Sequence, residues 1–371
     1  MKIALVHDWF NEYAGSERVV EQILECYPEA DVFSIVNFLP KEQQFFLKNK
    51  KIHTSFIQNL PFARKAFRKY LLLMPFAVEQ FDLTDYDLVI SSSHAFAKGV
   101  ITHSNQLHIS YVHTPIRYAW DFQFQYLKNS NLEQGLKSII AKYMLHKIRL
   151  WDYRTANGVD FFIANSKYVS SRIWKTYRRE SEVIYPPVNI DVYNFNSKKD
   201  NFYLTVSRMV PYKRVDLVVR AFSQMPDKKL VVIGDGPELN NVRKLAAKNI
   251  EILGYQTSSI VKEYMEKAKC FVFAAEEDFG IVSVEAQACG TPVIAYGRGG
   301  ATESVINNET GIFFKNQNVE DIINAVKYFE INYENFNPIN IRRTVERFSV
   351  NNFKKKFKNF VDLKFKEKFN F

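Results

Sequence analysis

Glu277 and Glu285 frame a loop in which Asp278-Phe279-Gly280 runs into an apolar helical pattern. A helix start leaves backbone N–H groups without intrahelical partners, so those of Gly280, Ile281 and Val282 suit a phosphate. Gly280 lets the backbone approach such a group closely. Carboxylates cannot bind a phosphate, but they accept hydrogen bonds from sugar hydroxyls. A ligand with hydroxyls on both sides of a diphosphate, a nucleotide sugar, meets both conditions. Arg208 and Lys213 follow an earlier strand, where their cations would point into the same crevice as Gly280. Taken alone, the Glu277/Glu285 spacing also fits two solvated glutamates, and surface lysines are commonplace. The Asp278-Phe279-Gly280 triplet is not a kinase signature, because no catalytic-loop His-Arg-Asp accompanies it.

A second group of candidates lies in the first half. One apolar strand ends in Ser91-Ser92-Ser93-His94, another in His113-Thr114-Pro115-Ile116-Arg117-Tyr118-Ala119-Trp120-Asp121. Each carries a histidine just past its carboxyl end, where parallel α/β sheets bind ligands. A lone histidine is more often structural. His113, beside Arg117, Tyr118, Trp120 and Asp121, reads as functional, and Pro115 fixes its turn.

The elements that position these groups read as alternating short apolar strands and helices, the pattern of a doubly wound parallel sheet. Strands are expected at 2–6, 31–36, 87–92, 108–112 and 159–164. The alternation then restarts at 202–206, 229–233, 250–253, 270–274, 293–296 and 311–314. The first unit carries Ala14-Gly15-Ser16-Glu17 in place of a GxGxxG, so a dinucleotide fingerprint is not supported, although Gly15 still allows an anion contact. The Asn- and Lys-rich stretch 194–201 divides the chain. At 371 residues two domains are expected: 1–190, 191–345, and a basic helix at 346–371 that crosses back to the first.

A net charge of +10 suggests an anionic partner. The basic residues stand at strand ends or in one tail, not on a reading face, which argues against a nucleic-acid-binding protein. Two stretches mix lysine and arginine with apolar residues at helical spacing, 60–81 and 353–371. Each reads either as a membrane-surface segment or as a helix packed on the body, and 60–81 also as a cover over an acceptor cleft. Cys26, Cys270 and Cys289 lack metal or CxxC spacing and read as reduced and buried, as in a reducing compartment. His7-Asp8 interrupts the first apolar run too early for a signal peptide.

Ser207-Arg208…Lys213, Gly234-Asp235-Gly236-Pro237, Leu253-Gly254, the Glu277…Glu285 loop and Cys289-Gly290-Thr291-Pro292-Val293 together resemble the retaining GT-B glycosyltransferases of family 4. The first half, with His7-Asp8-Trp9, Ser92-Ser93-His94 and the His113 to Asp121 run, looks like bacterial mannosyltransferases of O-antigen and capsule assembly. One departure is Ala14-Gly15 where relatives often have Gly-Gly. The resemblance implies two Rossmann-like domains facing across a cleft, an acceptor-binding domain first and a nucleotide-sugar domain second. It implies GDP-mannose as donor, with UDP- or ADP-linked sugars or epimerase chemistry as alternatives, and a lipid-linked glycan as acceptor. Arg208 and Lys213 would neutralise the diphosphate with the amides around Phe279 to Val282. Glu285 would take the ribose, Glu277 the transferred sugar, Gly254-Tyr255 the base, and His113 would orient the sugar. Gly15 and Ser16 would add donor contacts, leaving Asp8, Trp9, His94, Arg117 and Tyr118 for the acceptor. With two cations and a helix start to carry the charge of the diphosphate, no metal or cofactor is expected. The place of work implied is the cytoplasmic face of the inner membrane, by peripheral association.

Overall fold

The computed structural model describes residues 1–369 and divides into two compact units, Met1–Pro187 with the chain from Phe353 onward, and Val188–Asn352. The first holds β1 (Ile3–His7), β2 (Asp31–Ser34), β3 (Ile52–Thr54), β4 (Leu88–Ser93), β5 (Leu107–Val112), β6 (Phe161–Ala164) and β7 (Ser181–Val183). They are ordered 3-2-1-4-5-6-7 and paired in parallel. The second holds β8 (Asp200–Val206), β9 (Leu230–Ile233), β10 (Ile250–Gly254), β11 (Ala268–Phe273), β12 (Val293–Tyr296) and β13 (Gly311–Phe314). Their order is 10-9-8-11-12-13, again parallel.

Both orders are those of a doubly wound sheet, whose central strands are covered on both faces and therefore read as unbroken apolar runs. In β1 every residue is buried, and so is every residue of β4, β5, β9 and β12. Strand order reverses between β1 and β4 in the first unit and between β8 and β11 in the second. The loops leaving those pairs diverge to opposite faces and open a crevice at the carboxyl ends of the strands. Within each unit, this is what the sheet offers a ligand.

The structure bears on three expectations. Stretch 60–81 is not one amphipathic helix. It breaks into Ala63–Ala66, a 3-10 turn Phe67–Tyr70 and Met74–Glu79, with Phe62 left-handed at φ 58° and proline in the first turn of the last piece. The last helix, Val350–Phe369, buries Phe353, Phe357 and Val361 among Ile3, Leu5, Tyr27 and Tyr111 of the first core. Its lysines point outward to partners such as Glu25 and Asp160, so its apolar side is covered by protein. The unit boundaries fall at 187/188 and 352/353, a few residues from the expected 190/191 and 345/346.

Candidate functional site

In the second unit β8 hands over to an exposed Arg208 and a 3-10 turn, Pro211–Lys213, that ends on left-handed Arg214. Gly234 and Gly236, after β9, hold this loop in place. A Cβ on Gly234 would lie 1.8 Å from the Ser207 carbonyl oxygen, and one on Gly236 would lie 2.5 Å from that of Met209. Their glycine identity permits the backbone bonds from Met209 N–H to Asp235 O and from Glu238 N–H to Met209 O, at 2.8 and 3.0 Å.

β11 hands over to the Glu277 loop and the helix Ile281–Ala288. Gly280 caps that helix at φ 84°, ψ 57°, a left-handed conformation costly to any side chain. The amides that follow it begin the helix and lack intrahelical acceptors. Across the β8/β11 switch point Lys213 Nζ forms an ion pair with Glu277 Oε1, the two side chains being 17% and 16% exposed. The two charges assigned from sequence to different parts of a donor are therefore held together. Largely desolvated charges of opposite sign offset each other's burial, and an entering anion would share Lys213 with Glu277. Glu285 lies buried one turn into the helix, and Phe279 is buried against the Phe348 ring, 5.3 Å between centroids. Gly254, at φ 68°, accepts from Gly234 N–H at 2.8 Å, and Tyr255 beside it is exposed.

The turn 297–300 has a function the sequence reading passed over. Gly300 N–H donates to the Glu277 carbonyl at 2.8 Å. A Cβ on Gly299 would meet that same carbonyl oxygen at 2.5 Å, and one on Gly300 would meet Phe279 Cα at 2.3 Å. The glycine pair thus seats the Glu277–Phe279 backbone from behind. Its signal was the Gly-Arg-Gly-Gly run just after a strand.

In the first unit the β1/β4 register sets His7 beside Ser92. Ser92 Oγ lies 2.8 Å from His113 Nε2 and 3.2 Å from His7 Nδ1, and His7 Nε2 lies 3.4 Å from Glu17 Oε1. Glu17 Oε2 accepts from the Ala14 amide and the Ser16 hydroxyl at 3.1 and 2.9 Å, capping the helix Gly15–Cys26. A polar chain thus runs from His113 to the Gly15-Ser16 turn. Sequence reading named its two ends and missed Glu17, whose signal was its place three residues after the cap. Burial opposes the charge of Glu17. Its bonds to His7, its own backbone and Ser16 outweigh that and hold the carboxyl below the usual range. Burial, aided by the nearby His94 and His7, drives His113 well below the ordinary imidazole value, so it is neutral near pH 7.

Asp8 is not open to an acceptor. Fully buried, it accepts the amides of His94, Ala95, Phe96 and Ala97 within 3.0 Å, and His94 Nδ1 stands 3.0 Å away. It is a positioning residue that pins the β4 loop. Trp9 is half-buried, edge-on to the His94 ring at 4.6 Å. Arg117 and Tyr118 are half-buried too, with the Arg117 guanidinium 4.6 Å from the Phe122 ring centroid. Among the described residues no group of three or more His, Cys, Asp or Glu is arranged to hold a metal ion.

Each half of the chain has known relatives. Residues 13–192 match the family described as Glycosyltransferase Family 4, and residues 190–342 match Glycosyl transferases group 1. An uncharacterized glycosyltransferase of Methanocaldococcus jannaschii is 32% identical over 193 residues, which is 51% of this chain and 54% of that protein. A GDP-mannose-dependent alpha-(1-6)-phosphatidylinositol monomannoside mannosyltransferase of Mycolicibacterium smegmatis is 26% identical over 204 residues, 47% of this chain and 53% of that protein. The chain therefore spans about half the length of these relatives. N-acetyl-alpha-D-glucosaminyl L-malate synthase of Bacillus anthracis is 26% identical over 323 residues, covering 78% of this chain and 81% of that enzyme. Anabaena Alr3699/HepE, solved with UDP and glucose, superposes with a TM-score of 0.71 at 19% identity, over 98% of this chain and 99% of that one, a likeness of fold. With two Rossmann-like sheets and a family match along each half, the chain belongs to the GT-B glycosyltransferases of group 1, family 4.

Proposed function

We propose that the protein is a retaining hexosyltransferase that moves mannose from GDP-mannose onto a lipid-linked oligosaccharide at the cytoplasmic face of the inner membrane. The observation that carries this reading is the Lys213–Glu277 pair beside left-handed Gly280, at the switch point of the second sheet. Cleaving a sugar–phosphate bond builds negative charge on the leaving diphosphate and oxocarbenium character on the sugar. Donors already aimed at the diphosphate supply the largest gain. Here those donors are Arg208, Lys213 and the amides after Gly280. Two cations and a helix start carry this charge in our reading, with no metal called for.

Glu277 and Glu285 then accept from sugar and ribose hydroxyls, and the neutral His113 ring is suited to a hydroxyl of the transferred sugar. We assign retention to front-face attack rather than to the alternative, a covalent route through a carboxylate. The acceptor hydroxyl enters beside the departing phosphate, which takes its proton. Mannose and guanine are favoured because several similar sequences are described as GDP-mannose-dependent mannosyltransferases. The test is a panel of GDP-, UDP- and ADP-linked hexoses, with and without EDTA, scored for sugar release or transfer. GDP-mannose should be turned over in EDTA, and Lys213→Ala should lower kcat/KM by about 10²- to 10³-fold with the fold retained. Turnover of a UDP sugar alone would replace the donor assignment, and near-normal Lys213→Ala activity would overturn the site.

A further inference from the structure

The longest helix of the first unit before the last one, Leu136–Thr155, turns one face inward with Leu145, Ile148, Asp152 and Thr155. Its opposite face is not polar. Leu136, Ile139, Ile140 and Tyr143 follow at three- and four-residue spacing along it, and Leu150 lies two turns further on past exposed His146 and Lys147, the five apolar side chains being between 51% and 73% exposed. At 1.5 Å per residue they form a stripe roughly 20 Å long. A helix that is apolar on both sides is ordinarily enclosed, and an exposed apolar group of this kind marks an interaction surface.

The charges bordering the stripe say what covers it. Lys137, Lys142 and Lys147 are exposed along it. The helix's single acid, Asp152, is buried and paired with Lys98 at 2.8 Å, and the next exposed acid is Glu133 in the preceding turn. Beside the helix Arg149, Lys175, Trp120 and Phe124 line a cavity of about 380 Å³ together with Asp121, whose carboxylate is paired with Arg172. Lysine is depleted in protein–protein interfaces, whereas an apolar stripe edged by lysines and a tyrosine fits the boundary of an anionic bilayer.

We infer that the outward face of Leu136–Thr155 docks on an anionic lipid surface. Its aliphatic side chains enter the headgroup boundary and its lysines meet lipid phosphates. The last helix is not the anchor, because protein covers its phenylalanines. Among the described residues no helix is long and apolar enough to cross a membrane, so this contact is peripheral. The inference deepens the reading of a lipid-linked acceptor by naming the surface at which it is met.

Flotation with vesicles of phosphatidylcholine, with or without 30 mol% phosphatidylglycerol, tests it without turnover. The full chain should float only with the anionic vesicles and be released by salt. Lys137→Glu/Lys142→Glu/Lys147→Glu should weaken partition roughly a hundredfold, each lysine near such a surface contributing about fivefold. Ile140→Ser/Tyr143→Ser should also impair it, while Lys355→Glu/Lys356→Glu in the last helix should not. All these side chains are exposed, and an unchanged thermal midpoint checks the fold. The inference is overturned by a wild-type chain that stays in the dense fraction, by face variants that float normally, or by face variants that only dissociate a dimer in ultracentrifugation. A chain that fails to float yet still turns over a nucleotide sugar refutes the docking surface and leaves the transferase reading standing.

Discussion

Replacing Gly300 by alanine should displace the Glu277 loop without straining its own backbone. Gly300 sits at φ −66°, ψ −18°, where any residue is comfortable, so the whole effect is steric. The new Cβ would stand 2.3 Å from Phe279 Cα, 2.5 Å from the Asp278 carbonyl oxygen and 2.7 Å from Phe279 N, all backbone atoms that no rotamer change can move. An ordinary carbon contact is about 3.5 Å, so the loop must retreat by roughly 1 Å. Overpacking of this kind costs about 1–3 kcal/mol of stability, and a 1 Å misplacement of positioning groups can lower turnover about 10²-fold. Gly158→Ala is the control, because a Cβ there meets nothing within 4 Å. Urea denaturation gives the first quantity, and kcat/KM with the donor the panel identifies gives the second. Wild-type turnover in a folded Gly300→Ala protein would show that the glycine turn does not set the loop.

Three other outcomes are expected. Asp8→Asn leaves one oxygen where a carboxylate accepted four amides, and should destabilise by about 3–5 kcal/mol in urea; a loss under 1 kcal/mol would remove its pinning role. Burial pushes His108 down to about 4, and His94 and His113 are lowered in the same direction. Because the unfolded chain then binds more protons, stability is complete above about pH 6.5 and falls as pH drops towards 4, by about 3 kcal/mol for His108; a urea midpoint equal at pH 7 and 4.5 would contradict this. Phe357→Ala should cost about 3–5 kcal/mol, since the ring is fully buried and stacked at 5.5 Å on Phe353; a neutral result would detach the last helix from the core.

What could be read in advance follows from what is local. Buried parallel strands are apolar runs, so β12 and β13 were legible to the residue, as was the helix start at Gly280 and Ile281. The edge strands β3 and β7 were not. Each is three residues long with none fully buried, which leaves no apolar run to see. Strand order was also hidden, because a parallel neighbour is chosen by the path of the crossover and not by the strand's own residues. Without it, Arg208, Lys213 and Glu277 were known to stand at strand ends but not at adjacent ones. Asp8 shows the reverse difficulty. A polar residue after a strand suggests a ligand contact, and only the fold reveals that backbone amides some 86 to 89 residues away already surround it.

The most direct measurement is a crystal structure of the protein with GDP. The account predicts the diphosphate within hydrogen-bonding distance of Arg208, Lys213 and the amides following Gly280, with the Lys213–Glu277 pair loosened or shared. A diphosphate bound elsewhere, with that pair intact and Arg208 pointing into solvent, would contradict it.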